Sequence, residues 1–302
     1  MNRSRRILPT LALVCVTAVW GSTFFMIKDI VDVIPPLDFL GVRFIIAGLF
    51  IGLWRFRALR TAPAEVWRHG AVLGLLYSCA QVAQTIGLQH THASVSGFIT
   101  GMYVVLTPVV LLLVFRVRVS AVTWLSIALA TAGLMILSLH GLAFGVGESL
   151  TLLGSVFYAI HIAFLGHWST NGHVLELAAI QIIVVGVTCL AAALPGGVVV
   201  PSTPGQWGQM LYMALIAGMG ALVLQTWAQS RISATSAAVV MTTEPLFAAL
   251  FAVAFGGEHL TIRLVVGGGL ILGAMFSTEL VPTLTSRKAI EHTESPLTGD
   301  RS

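Results

Sequence analysis

Long apolar runs separated by short polar breaks make up most of the chain. A helix of about 20 apolar residues is long enough to cross a lipid bilayer. The breaks are rich in proline, glycine and arginine, as in DVIPP (32–36) and PGGVVVPSTPG (195–205). This alternation predicts ten transmembrane helices, called spans one to ten: residues 9–28, 37–54, 70–88, 93–115, 121–139, 148–167, 174–194, 208–229, 234–256 and 262–281.

The composition agrees with an all-α integral membrane protein. Hydrophobic residues are 57% of the chain and charged residues only 9%, whereas a soluble domain carries about 25% charge. The basic residues lie scattered between the apolar runs, so no nucleic-acid partner is predicted. The three cysteines lie within apolar runs and lack metal-binding spacing, so no metal site and no cofactor are predicted.

The distribution of basic residues predicts the orientation of the spans. With the N-terminus inside, 13 of the 16 Lys and Arg residues fall on the cytoplasmic side, and only Lys28 and Arg263 fall outside. The remaining one, Arg43, lies within a span. Both termini are therefore predicted to be cytoplasmic, with residues 1–8 as a short N-terminal segment and residues 282–302 as a disordered tail.

Two stretches of the chain look like copies of one another. Residues 93–120 and 234–261 both open on alanine with small polar residues, and they lie 141 positions apart. Because five spans is an odd number, a second copy would enter the membrane inverted relative to the first. The sequence thus predicts two inverted five-helix repeats, 9–139 and 148–281; the alternative is a chance resemblance between two apolar helices.

These motifs resemble the EamA branch of the drug/metabolite transporter superfamily. The matching features are AVWGSTF (18–24), FLGVRF (39–44), ASVSGFITGMYVVLTPVV (93–110) and TTEPLFAALFAVAFGGEHLT (242–261). The resemblance implies a ten-helix permease of the inner (plasma) membrane, often an exporter of metabolites, amino acids or toxic compounds. One departure is that the first half has RVRVS where the second has GGEHLT, so it lacks the glutamate that family members often place there.

Glu244 and Pro245 are the leading candidates for transport chemistry. An acidic residue at the centre of a span costs about 2.5–3.5 kcal/mol on insertion scales, so Glu244 is expected to face a cavity or a partner, or to be protonated. Pro245 lacks an N–H and would leave the Met241 carbonyl without its usual donor, which creates a polar notch. The predicted pathway also includes Thr243. The alternative is a kink in which a neutral Glu244 bonds to a neighbouring helix.

The first half supplies a related proline motif and a buried arginine. Thr107 and Pro108 repeat the proline without the acid, and Thr107 is expected to hydrogen-bond back to its own helix. Arg43 could reach the interface with its long side chain, pair with Glu244, or bind an anionic substrate group. Asp38 is expected to cap the start of span two.

Other polar and aromatic residues inside the spans could line a cavity or only join helices. Spacing of three or four residues places Gln81 with Gln84, and Tyr158 with His161, on single helix faces. Interhelical hydrogen bonding is the alternative for each amide. The predicted pathway also contains Gln225, and an aromatic wall could be formed by Trp20, Tyr103 and Tyr158.

Glycine pairs spaced four apart predict close helix packing. These GxxxG pairs are Gly48/Gly52, Gly70/Gly74, Gly97/Gly101 and Gly269/Gly273. They favour a tight bundle that can rock between two arrangements.

The predicted function is a secondary transporter that moves a small-molecule substrate by alternating access. The chain has no Walker A motif, so ATP is not its own energy source, and coupling to protons through Glu244 is a hypothesis. A lipid flippase, a sensor without net transport and a membrane-embedded enzyme are the alternatives. The sequence contains neither HExxH nor GxSxG, which disfavours the enzyme. Substrate, direction of transport and oligomeric state stay open.

Overall fold

The computed structural model describes residues 4–116, 121–140, 143–168, 173–229 and 240–293. The first part of span nine and most of the RVRVS segment lie outside these residues. The helices in chain order are α1 (Ser4–Val31), α2 (Pro36–Trp54), α3 (Phe56–Thr61), α4 (Ala64–Gln89), α5 (Ala93–Phe115), α6 (Ala121–Ser138), α7 (Val146–Trp168), α8 (Val174–Ala193), α9 (Pro204–Leu211), α10 (Ala221–Gln229), α11 (Glu244–Ala254) and α12 (Ile262–Thr293).

The described part of the chain is almost entirely helical. A π-helical segment, Tyr212–Gly220, joins α9 to α10. The strands Leu139–His140 and Ala143–Phe144 form a small antiparallel hairpin between spans five and six. Many large apolar side chains lie exposed on the outside of the bundle, for example Leu53 and Ile262, as expected where lipid replaces water.

Seven helices within the described residues are long and apolar enough to cross a membrane. They coincide with spans one to four and six to eight: Ile7–Val31, Pro36–Trp54, Ala64–Gln89, Ala93–Phe115, Val146–Leu165, Val174–Gly196 and Pro204–Gln225. Three shorter apolar helices, Ala121–Leu137, Glu244–Ala254 and Ile262–Ser277, coincide with spans five, nine and ten. Each predicted span thus overlaps helical residues within the described part of the chain, and span nine is described only from Val240 onward.

Several helix boundaries differ from the prediction. Span three begins six residues early, at Ala64, because Pro63 at the N-cap is followed by good helix formers. Span eight begins at Pro204, where Thr203 and Gln206 form a capping box. The last helix continues to Thr293, so the expected disorder does not hold for residues 282–293, which include the helix-favouring RKAIE stretch.

Spans two and seven pack closely in antiparallel fashion. A Cβ added to Gly41 would lie 2.9 Å from the Leu190 backbone, and one on Gly186 would lie 2.8 Å from that of Phe44. At one end of this pair, Arg55 forms a salt bridge with Glu176. At the other end, the Asp38 carboxylate accepts a hydrogen bond from Val199 N–H at 2.8 Å. Asp38 therefore does not cap its own helix, contrary to expectation, because it reaches across to the loop between spans seven and eight.

The packing of span ten corrects one of the predicted glycine pairs. A Cβ on Gly133 would lie 2.6 Å from the Gly267 carbonyl oxygen, and the reverse distance is 2.8 Å. Spans five and ten therefore meet at Gly133 and Gly267. In contrast, Gly269 has open space around it, and a Cβ on Gly273 would make only ordinary contact with Leu129. The expectation of close packing at Gly269/Gly273 is wrong, because Gly269 has no neighbour and Gly273 meets span five only at ordinary side-chain contact distance.

Polar contacts join several helices at the end of the bundle opposite to Arg55. Lys28 Nζ donates to the carbonyl oxygens of Leu88 at 3.1 Å and Thr91 at 2.5 Å. The buried Glu148 accepts from the Thr91 hydroxyl at 2.7 Å. Glu258 accepts from Ala93 N–H at 2.6 Å and from the backbone and side chain of Ser94. The segment after span nine thus holds the start of span four.

Candidate functional site

Span nine is interrupted at the predicted site. Val240 and Met241 are helical, Thr242 and Thr243 form a turn, and α11 begins at Glu244 with Pro245 in its first turn. Thr243 N–H donates to the Val240 carbonyl at 3.0 Å. Proline has no N–H and its ring crowds the carbonyl four residues earlier, which favours a break, and here the helix is interrupted whereas α5 continues through Pro108. A new helix therefore starts inside the membrane segment, rather than one helix bending there.

Glu244 is left without a partner by this arrangement. Its side chain is half-buried, and within the described residues it forms no hydrogen bond and no salt bridge. Tyr77 and Tyr158 both lie within range of its charge. A carboxyl group at the start of a helix also lies at the positive end of the helix dipole. The geometry therefore presents an acidic group that is available to a ligand or to a proton.

Arg43 points into the bundle rather than to the interface. It is only 6% exposed, and its Nε donates to the Met213 carbonyl at 3.3 Å. Its guanidinium lies 5.1 Å from the ring centroid of Phe44. The interfacial alternative is therefore wrong, because the side chain is held by span eight. Arg43 does not form an ion pair with Glu244 either.

Arg43 and Glu244 nevertheless share neighbours. Tyr77 and Tyr158, whose ring centroids are 5.8 Å apart, lie within electrostatic range of both charges. Tyr103 extends the pair, since its ring centroid is 6.3 Å from that of Tyr158. The structure thus places one cation and one anion around a set of three tyrosines, with no salt bridge between the two charges.

The π-helical segment of span eight positions two of the predicted residues. Arg43 donates to Met213, and the Trp20 indole N–H donates to the Ala217 carbonyl at 2.8 Å. Trp20 makes no ring contact with the tyrosines in the described structure, so the expected aromatic wall contains Tyr103 and Tyr158 without it. π-helices are rare and often occur at functional sites.

Two amides of span three bond beside the tyrosines, Gln84 to other helices and Gln81 within its own helix. Tyr158 OH donates to Gln84 Oε1 at 2.9 Å, and Gln84 Nε2 donates to the Thr100 hydroxyl at 2.9 Å. Gln81 Nε2 donates to Tyr77 OH at 3.0 Å. Gln84 therefore joins spans three, four and six, which is the helix-joining alternative, and its role in lining a pathway stays a prediction.

His161 belongs to the edge of this network. Its Nε2 lies 2.5 Å from Gln181 Oε1, and the Gln181 amide donates to the Leu177 carbonyl at 3.0 Å. Its ring centroid is 5.3 Å from that of Tyr77. The histidine is buried and connects span six to span seven.

The remaining predicted residues either lie apart from the tyrosines or form hydrogen bonds to backbone carbonyls. Thr107 donates to the Tyr103 carbonyl at 2.7 Å, which is the predicted back-bond. Pro108 lies inside a continuous α5, in contrast to Pro245. Thr243 bonds to the Val240 carbonyl at 2.6 Å and lies 3.1 Å from the Thr17 hydroxyl of span one. Gln225 lies half-buried on α10.

Sequence reasoning missed Tyr77, Thr17 and Gln181. Tyr77 lies four residues before Gln81, so helical spacing places it on the same face. That signal was present in the sequence. Thr17 and Gln181 are polar residues in apolar spans whose partners are distant in the chain, and spacing within one helix cannot identify them.

The hydrogen bond between Tyr158 and Gln84 is expected to contribute measurably to stability. We expect Tyr158→Phe and Gln84→Leu to be coupled by about 0.6–2 kcal/mol in unfolding free energy, since each removes the partner of the other. Chemical denaturation of the two single variants and the double variant measures this coupling. Gln89→Leu, whose amide bonds to the Val31 carbonyl instead, is the control and should add independently to Tyr158→Phe. Additivity of the first pair would contradict the expectation.

Comparison with known proteins shows relatives over most of the chain. The EamA-like transporter family matches residues 8–139 and again residues 145–279. A protein of Archaeoglobus fulgidus, named an uncharacterized transporter, is 31% identical over 276 residues, which are 91% of this chain and 87% of the relative. The uncharacterized inner membrane transporter YedA of Escherichia coli K12 is 28% identical over 268 residues, 86% of this chain and 87% of YedA. A crystal structure of another protein shares the fold, with a TM-score of 0.65 at 16% identity over 95% of this chain and 99% of the other.

Proposed function

Because the chain belongs to the EamA-like transporter family, we propose that it is a secondary transporter that moves a small organic compound by alternating access. It is a multi-pass protein of the inner membrane. The proposed direction is export, and the proposed substrate is a metabolite, an amino acid or a drug-like compound. The family and its named relatives are transporters, which supports transport rather than catalysis.

The observation that carries the proposal is the interrupted span nine beside the tyrosines. In transporters, discontinuous helices place backbone and charged groups near the bilayer midplane, where substrates bind. Here α11 begins with the unpaired Glu244, and Arg43 lies near the same tyrosines. Ionisable groups inside a membrane are unfavourable unless they face a partner or a water-filled cavity. A substrate with an aromatic or apolar body and a polar group would supply the missing partner.

The helix contacts support two inverted repeats. If the two repeats are exchanged, span one takes the place of span six, span two that of span seven, and so on. The contact between spans three and six then corresponds to the contact between spans eight and one. Likewise, the three–seven contact corresponds to eight–two, and four–six corresponds to nine–one. All six of these contacts occur. Three further contacts join a span to its own counterpart in the other repeat, so the exchange leaves them unchanged. These are the contacts two–seven, five–ten and four–nine, and they also occur.

Contacts at both ends of the bundle connect the two proposed repeats. Glu258 from the second repeat binds the start of span four in the first. At the opposite end, Arg55 of span two binds Glu176 of span seven. Alternating access requires the contacts at one end of the bundle to break while the contacts at the other end persist. With the basic residues cytoplasmic, the Glu258 end would face outward and the Arg55 end inward.

A transport assay with purified protein tests the proposal. We expect saturable accumulation of at least one compound in proteoliposomes, above protein-free vesicles, in a screen of amino acids, nucleosides and cationic drugs. The same vesicles carry a fluorescent phospholipid, so that lipid movement is measured in parallel. Phospholipid redistribution without solute transport would favour the flippase. Binding of a compound without its movement across the membrane would favour a sensor.

A further inference from the structure

A large apolar groove lies on the outside of the bundle, away from the tyrosines and Glu244. It has a volume of about 530 Å³ and runs along spans two and seven toward α3 and the start of span three. Its lining includes Gly48, Gly52, Leu53, Arg60, Trp67 and Ile183. The proposed transport pathway uses none of these residues.

Missing side chains on span two create the depth of this groove. A Cβ on Gly48 would lie 3.3 Å from Ile183 Cγ1, and one on Gly52 would lie 3.7 Å from Ile183 Cδ1. An alanine at Gly52 would therefore fit, but a longer side chain there would extend into the groove. Leu49 and Leu53 beside it are 60% and 75% exposed, so the groove faces the acyl chains of the bilayer.

A basic side chain lies beside one end of the groove, whose own lining is almost wholly apolar. Arg60 is exposed on α3, where its guanidinium lies 5.5 Å from the Phe56 ring centroid. Within the described residues it forms no salt bridge, whereas Arg55 is neutralised by Glu176. Trp67 completes this end and donates its indole N–H to the Leu59 carbonyl at 3.3 Å. Tryptophan and arginine at the end of a span are typical of the headgroup level.

We propose that this groove binds one anionic phospholipid, with an acyl chain along span two and the phosphate at Arg60. Basic pockets between transmembrane helices select anionic headgroups by charge, and the predicted orientation places Arg60 at the cytoplasmic leaflet, where anionic lipids attract basic residues. A neutral lipid would fill the apolar part equally well but would leave Arg60 without a counter-charge. The apolar cleft and Arg60, which lines it and forms no salt bridge with any described residue, together distinguish this site from ordinary lipid contact.

Lipid titration by native mass spectrometry tests the site in the full-length protein. We expect phosphatidylglycerol to bind at least tenfold more tightly than phosphatidylcholine with the same acyl chains. Arg60→Gln should remove this preference. Arg57→Gln is the matched control, since Arg57 is an exposed arginine of the same helix that does not line the groove. It should leave the preference within twofold of the parent.

A second variant separates the groove from the charge. Gly52→Leu should weaken both lipids at least fivefold by filling the cleft, and a monodisperse gel-filtration profile shows that the variant is folded. Arg60→Gln is a surface change and keeps the test decisive if Gly52→Leu fails to fold. Equal affinities of the two lipids, or equal losses in the Arg60 and Arg57 variants, would overturn the proposal. A measured mass of a dimer without bound lipid would also overturn the proposal, because a second copy of the chain would then occupy the groove.

Discussion

Replacing Glu244 with glutamine is expected to reduce transport at least tenfold without unfolding the protein. Glutamine has nearly the same shape, so the start of α11 and its packing should persist. The variant lacks the negative charge and cannot release a proton. Since no described residue neutralises Glu244, its removal breaks no internal contact, and the loss should appear in transport rather than in stability. Initial rates in proteoliposomes and thermal unfolding in detergent measure the two effects.

The same variant tests the proposed coupling to protons. If Glu244 carries the proton, an imposed pH gradient should accelerate accumulation by the parent and have no effect on Glu244→Gln. Glu65→Gln is the matched control, because it makes the same chemical change at an exposed position at the start of α4. It should transport within twofold of the parent. Parent-like rates of Glu244→Gln at every pH would exclude a role for this carboxyl group in coupling.

Substitution of Gly21 by alanine is expected to destabilise the protein by about 1–3 kcal/mol, the usual range for overpacking. A Cβ there would lie 2.6 Å from Phe247 Cβ and 2.8 Å from the Ala248 backbone nitrogen. Backbone cannot move aside as a flexible side chain can, so span one must shift away from α11. Because α11 begins with Glu244, we also expect transport to fall at least tenfold.

Gly269→Ala provides the control for this substitution. It makes the same change in a helix interior, but its Cβ would meet open space. Alanine favours helix over glycine, so Gly269→Ala should be neutral or slightly stabilising. Thermal unfolding of both variants in detergent measures the difference. Equal midpoints for the two would show that spans one and nine do not approach as closely as the structure indicates.

The order and approximate limits of the helices could be predicted because each apolar run is long and bounded by loop residues. The partner of each helix could not. Spacing showed that Gly269 and Gly273 share a face, but it could not show that span five packs at Gly267 instead. Asp38 likewise lies at the predicted start of span two, where a cap is expected. Only the folded chain brings Val199 within reach of its carboxylate.

The candidate site was predictable in its chemistry and less so in its shape. Glu244 and Pro245 stood out because a charge and a missing N–H are both unfavourable in an apolar helix. The new helix start at Glu244 follows from that same proline. In contrast, nothing in YMALIAGMG distinguishes a π-helix from an α-helix, since its residues after Tyr212 are all small or apolar. Two of its carbonyls accept hydrogen bonds from Arg43 and Trp20, which lie far away in the sequence.

The π-helical segment of span eight also has a rotational consequence. Each hydrogen-bonded loop of a π-helix holds one residue more than the corresponding loop of an α-helix. If one such loop closed to α spacing, every residue beyond it, including Gln225, would turn by about 100° around the axis, the angle of one residue in an α-helix. Arg43 and Trp20 bind carbonyls within this segment and so resist that turn. A local shift of register within this segment would therefore change the face that the later part of span eight presents to the bundle interior.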